Sequence, residues 1–290
     1  MKQSLIIACF CCLQITAIGQ LGASGLKKGQ KKVTDSAYLR CYYLFSKTKP
    51  GVKKAFRSDT MVLDIGAKAS RFYDPARLGR DSMLNARMKN MDPQTIKSVN
   101  VYRGDAARDL SNMPGTVSSN ATEGESYQVI KDKLTHKITV LDYVNAIGDR
   151  FKYEDQTGIL PWQISNTIDT VSSYSCRKAT LNFRGRDYVA WFTSDIPVSD
   201  GPWKFAGLPG LILKIEDTQG LFVFKLIGLH QLSPLVPIQI DDSKSIKCSR
   251  AEFEKLKIKQ GAGMQININA GVVNIAETPG KVDYIQMELK

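Results

Sequence analysis

The ionisable residues best placed to do chemistry crowd one stretch of the chain. Arg184 and Arg186 flank a glycine, Asp195 and Asp200 follow a run containing Trp191, Lys204 sits inside Gly201-Pro-Trp-Lys-Phe205, and Glu216-Asp217 follow. Two carboxyl groups held about 5–10 Å apart could serve as acid and base in a hydrolysis. Opposite charges brought together could instead form a buried network that fixes the backbone. Trp191 and Trp203 are aromatics of the kind that, with arginine, anchor ligands and partner surfaces. The network is the preferred reading of these residues. Among functions, a binding site for a ligand or partner protein, drawn from Trp191, Trp203, Lys204, Arg184, Arg186, Asp195 and Asp200, is preferred. The alternative is a secreted hydrolase using a carboxylate pair from Asp195, Asp200, Glu216 and Asp217.

Other chemistries find no support in spacing. His136 and His230 are the only histidines, and neither stands at metal-ligand spacing from the other or from a cysteine. There is no Gly-x-Ser-x-Gly elbow, no His-Glu-x-x-His pair and no phosphate-binding Walker loop. Cys176 has Arg177 and Lys178 beside it, but on a strand these point to different faces. No cofactor and no metal are expected, and no aromatic-interleaved basic motif suggests a nucleic acid.

The candidate residues depend on a segment rich in proline and glycine, Gly201, Pro202, then Gly207, Leu208, Pro209, Gly210, Leu211 and Ile212. Pro209 fits the second position of a type II turn and Gly210 the third, which needs positive φ. Gly207 and Gly210 would also let another element approach closely. Together with Ala190-Trp-Phe-Thr-Ser-Asp-Ile-Pro197 upstream, this stretch resembles the GLPGLI family, secreted proteins of Bacteroidetes named after the hexapeptide. Tyr174-Ser-Cys-Arg-Lys-Ala179, Gly185-Arg186 and Glu216-Asp217 extend the likeness. The resemblance implies export and brings no established activity with it.

The start of the chain implies the same destination. Met1-Lys2-Gln3 is followed by an apolar run from Leu5 to Ile18, and Ala17-Ile18-Gly19 supplies small residues for cleavage. Residues 1–19 therefore read as a secretory signal, and the protein as periplasmic, outer-membrane-associated or extracellular. No other run is long and apolar enough for a membrane-spanning helix. The 40 basic and 28 acidic residues leave a net charge of +12. Only Lys27, Lys28, Lys31 and Lys32 cluster, in a mobile basic tail over 20–36 that could touch an anionic surface. Outside the signal remain Cys41, Cys176 and Cys248. Cys41 alternates with Leu39, Tyr43 and Phe45 and reads as a buried free thiol; in an oxidising compartment the best pairing is Cys176–Cys248, with no bridge at all as the alternative.

Residues 37–290 read as one domain, mainly β with a few helices. Alternating runs separated by tight turns predict an antiparallel, curved sheet like a half-barrel. The run from Leu221 to Leu229 is apolar on both faces and predicts a central strand covered on both sides. A long polar loop spans 103–125, and Gln260 to Gly271 reads as polar loop or weak strand. Val282 to Leu289 is expected to close the sheet as a last strand. Ser249-Arg-Ala-Glu252 is a capping box and predicts a helix near Ser249–Lys257, with Cys248 and Phe253 at the staple positions.

Overall fold

A computed structural model describes residues 32–90, 92–103, 108–114, 116–118, 124–144, 150–259, 264–277 and 285–289. The signal at 1–19 and Lys27, Lys28 and Lys31 lie outside the described residues. Two sheets carry the chain. The larger has twelve strands: β1 (Lys32–Lys47), β2 (Arg57–Gly66), β3 (Ala69–Tyr73), β6 (Gln128–Asp132), β7 (Lys137–Tyr143), β8 (Arg150–Gln156), β9 (Gln163–Val171), β10 (Tyr174–Phe183), β11 (Arg186–Thr193), β12 (Leu211–Asp217), β13 (Phe222–Ile240) and β14 (Ser245–Lys247). Their order is β14-β8-β7-β6-β3-β2-β1-β13-β12-β11-β10-β9. Every pairing in it is antiparallel except β14 with β8. The smaller sheet holds β4 (Ser98–Tyr102), β5 (Val117–Ser118), β15 (Met264–Asn269) and β16 (Val272–Glu277) in the order β4-β16-β15-β5. The fold is thus mainly β, and the large sheet does not close into a barrel.

The large sheet curls strongly. β8 stands second in the order and β10 eleventh. Nine interstrand steps of about 4.8 Å would part them by roughly 40 Å if the sheet were flat. Yet Asp155 of β8 and Arg184, just after β10, approach to 2.6 Å. The inner face carries the core, in which Phe45 stacks on Phe224 at 4.1 Å between ring centres and Tyr43, Phe72, Phe192, Phe205 and Phe222 are all buried.

Local signals explain most elements. Phe183 pairs with Arg186 across Arg184 (φ +50°) and Gly185 (φ +83°), two positive φ values as a two-residue hairpin turn requires. α1 (Pro75–Lys89) starts on Asp74, whose carboxylate accepts from the Arg77 N–H, with proline at the first position. α2 (Arg250–Lys259) starts on the expected box. The Ser249 N–H donates to Glu252 Oε2 at 2.7 Å, the Glu252 N–H donates back to Ser249 Oγ at 3.2 Å, and Phe253 is buried.

Several expectations are overturned. β1 begins at Lys32, so residues 32–36 pair with β13 and are not a free tail. β13 is central but covered on one face only: Phe222, Phe224 and Leu226 are buried, whereas Lys225 and Ile227 are exposed, because only the inner face meets the core. Of the two readings of 260–271, polar loop or weak strand, the strand holds: β15 lies there and turns through Ala270 and Gly271 into β16. The loop at 103–125 contributes β5, which pairs with β15. Residues 285–289 form no strand. They are held by side chains, since Arg186 donates to Gln286 O at 2.7 Å and Tyr188 to Met287 O at 2.8 Å.

Candidate functional site

Thr193 of β11 pairs directly with Leu211 of β12, so residues 194–210 form an excursion from the sheet. Its backbone is tied down at short intervals. The Val198 N–H donates to Ile196 O, Asp200 to Val198 O, and Phe205 to Pro202 O. Leu211 donates to Ile196 O at 3.1 Å and Ile212 to Asp200 O at 3.0 Å. The predicted type II turn at Pro209-Gly210 is not formed. The Gly210 N–H donates to Leu208 O at 2.8 Å, a tighter turn, because Ile196 O has taken the Leu211 N–H that a type II turn would use. Gly207 (φ +95°) and Gly210 (φ +145°) do adopt positive φ, and Trp203 does so at +52°.

The excursion folds inward and fills the curled sheet. Trp203, Phe205 and Leu208 are buried among Phe183 and Tyr188, and the Trp162 indole N–H caps Ala206 O at 2.8 Å. Tyr43 Oη donates to Ile212 O at 2.7 Å from across the core.

Two buried ion clusters pin this plug. Lys204 Nζ lies 2.8 Å from Glu288 and 3.1 Å from Asp155, and Arg184 reaches both carboxylates at 2.7 and 2.6 Å. Burial pushes the Asp155 carboxyl upward, but hydrogen bonds from Arg184 and the charge of Lys204 outweigh it and hold the pKa at about 2. On the other side Asp200 accepts from Lys131 Nζ at 2.5 Å, with Lys133 at 3.5 Å. Burial raises the Asp200 pKa, and the two lysines overcome this to leave it below the ordinary carboxylate range. Lys131 Nζ also donates to Phe205 O at 3.1 Å, so its ammonium is spent on the plug.

Beside the second cluster lies a cleft of about 300 Å³. It opens between the β6–β7 hairpin, the residues after β8 and the plug. Lys133, His136 and Lys137, the apolar Ile159 and Val198, and Asp200 and Gly207 are among the residues that line it.

The sequence-selected residues do not gather at one surface. Trp203, Lys204, Arg186 and Asp200 are buried on the inner side. Trp191, in register between Lys178 and Lys214 on the outward row, is half-buried and packs against the core, and Trp203 is buried within it, so the two tryptophans line no common open surface. The candidate carboxylates are likewise scattered. Asp217 pairs with Arg186 at 3.0 Å, Glu216 with Lys214 at 2.7 Å on the outside, Asp200 with Lys131, and Asp195 is exposed. Among the described residues no group of three or more His, Cys, Asp or Glu is arranged to hold a metal.

Cys41, Cys176 and Cys248 are all free thiols. The Cys176–Cys248 bridge is not formed. Cys176 Sγ donates to Tyr174 O and Cys248 Sγ to Lys152 O. Burial raises the pKa of all three thiols, which makes them poor nucleophiles. Sequence reasoning missed Asp155, Glu288 and Lys131, the partners that hold the plug. Asp155 reads as part of a turn, Glu288 as an ordinary strand residue, and Lys131 falls just past the run Ser126 to Ile130. Nothing local marks their burial.

Residues 184–214, from the β10–β11 turn through the plug, match a family described as a protein of unknown function (Porph_ging). No curated protein matches the chain. Two crystal forms of a protein titled PNGF-II are similar at 11% identity with a TM-score of 0.46. The match covers 80% of this chain, which spans about a third (35%) of the length of those structures. Among the described residues no helix is long and apolar enough to cross a membrane. The matched family segment includes the whole of the plug.

Proposed function

We propose that this chain is an exported cell-envelope protein of the GLPGLI type that binds an envelope ligand or partner without transforming it. Its seat is the cleft beside the Gly-Leu-Pro-Gly segment. The observation that carries this reading is the cleft itself, of about 300 Å³, at the low end of small-molecule sites. Its wall is a backbone immobilised by ion pairs, a preorganised surface that loses little freedom on binding. The carboxylate facing it, Asp200, is already neutralised by Lys131, which suits recognition better than proton transfer. Export rests on the basic start, the apolar run and the small residues before Gln20.

Ser199 is exposed at the rim, so Ser199→Trp fills the cleft without entering the core. Capture from native envelope by the wild type, lost in Ser199→Trp at unchanged thermal stability, supports the proposal. A hydrolytic activity abolished by Asp195→Asn, with no capture sensitive to Ser199→Trp, overturns it in favour of the enzyme. N-terminal mass analysis of exported material is expected to find Gln20 first.

A further inference from the structure

The face opposite the plug carries a second feature. Lys178, Trp191, Lys214, Lys225 and Leu44 are consecutive cross-strand partners over β10, β11, β12, β13 and β1. The adjacent row, Ala179, Ala190, Ile215, Phe224 and Phe45, is buried throughout. Side chains alternate along a strand, so the first row lies on the other face of the sheet, where Trp191 stays half-buried against the core. Five strands at about 4.8 Å set these side chains across roughly 19 Å of one face.

This row is cationic and apolar together. Lys225 is exposed, Lys178 and Lys214 are half-buried, and Trp191 lies between two of the lysines. Leu44 (37%) and the neighbouring Ile227 (54%) are open to solvent. The next outward row, Thr180, Val189, Glu216, Val223 and Ser46, contains a single acid, and Glu216 is engaged by Lys214 at 2.7 Å. No described carboxylate pairs with Lys178 or Lys225. Lysine stems can lie along apolar surface while their ammonium groups reach outward, and tryptophan favours the boundary between lipid and water.

We infer that this outer face docks onto the anionic headgroup layer of a lipid bilayer. Lys178, Lys214 and Lys225 meet the headgroups, and Trp191, Leu44 and Ile227 sit at the acyl boundary. Charge complementarity selects an anionic surface. The exposed Leu44 and Ile227 select lipid over an acidic polysaccharide, whose hydroxylated chain offers nothing to bury them.

The test is co-sedimentation of the full mature chain with vesicles of phosphatidylcholine, alone or mixed with phosphatidylglycerol, at low and high salt. Binding is expected with the anionic vesicles only, and weakened by salt. Lys178→Gln/Lys225→Gln should weaken it about 30-fold, and Trp191→Ala should weaken it further in combination. A chain with Lys27, Lys28, Lys31 and Lys32 changed to Gln separates the row from the N-terminal cluster and should retain most binding. Ser199→Trp, on the other face, should bind vesicles as the wild type does, whatever becomes of the cleft. The inference is overturned if the wild type ignores anionic vesicles or binds neutral ones equally. It is also overturned if folded Lys178→Gln/Lys225→Gln binds undiminished, or if the chain binds polygalacturonate but no vesicle.

Discussion

Gly207 and Gly210 share a motif and positive φ, yet alanine at the two positions should have very different effects. At Gly207 (φ +95°) an added Cβ would lie no closer than 3.8 Å to the Trp162 ring, an ordinary contact. The cost there is that of holding a non-glycine residue in left-handed backbone, about 1–2 kcal/mol. At Gly210 (φ +145°) the Cβ would fall 2.0 Å from Thr193 O and 2.6 Å from its carbonyl carbon. That carbonyl belongs to the β11 backbone, which cannot rotate aside like a side chain, so an overpacking cost of about 1–3 kcal/mol adds to the strain. Gly210→Ala should therefore cost about 2–5 kcal/mol, a fall in melting temperature of order 4–20 °C for a chain this long. Thr218→Ala, on an exposed turn residue, should change it by less than about 2 °C. Thermal unfolding followed by circular dichroism, with denaturant titration as a second measure, reads all three. If Gly207→Ala proves as damaging as Gly210→Ala, or if Gly210→Ala melts with the wild type, backbone approach to Thr193 is not why glycine is needed there.

Lys204→Met should destabilise by about 1–3 kcal/mol, less than a fully orphaned buried pair, because Arg184 still contacts Asp155 and Glu288; denaturant midpoints measure it. Asp155 has its folded pKa depressed from 3.8 to about 2, so its stabilisation is fully present above pH 4 and is lost as pH falls through 2. Discounted for solvent screening this amounts to about 1–2 kcal/mol, and Asp155→Asn should flatten that part of the pH–stability curve. Timed alkylation of native protein should label half-buried Cys248 before Cys41 and Cys176, and peptide mapping without reductant should find no internal bridge. Trp203→Ala should lower stability by about 3–5 kcal/mol, as for any buried core aromatic, with the fall in melting temperature as readout.

What could be read directly from residue order was local. The helix at Ser249 was legible because a capping box is complete within four residues and its hydrogen bonds close on themselves. The hairpin at Arg184-Gly185 and the positive φ of Gly207 and Gly210 were legible because glycine relieves a backbone restriction at its own position. The mainly antiparallel β architecture followed from period-two alternation interrupted by turn residues. Errors arose where distant groups competed for a local bond, as when Ile196 O took the Leu211 N–H and replaced the predicted turn at Pro209.

The chain order alone therefore determined a β protein with a shape-fixed Gly-Pro segment flanked by charges. Only the tertiary structure decided which charges meet. Lys204 finds Asp155 and Glu288, which lie 49 and 84 residues away, and Asp200 finds Lys131. Only it decided that Trp203 is buried in the core while Trp191 stays half-buried on the outward row. The reason is physical. Periodicity reports which residues share a face of their own strand, whereas the curl that brings β8 against the β10–β11 turn is a property of the whole sheet, summed over many small interstrand rotations.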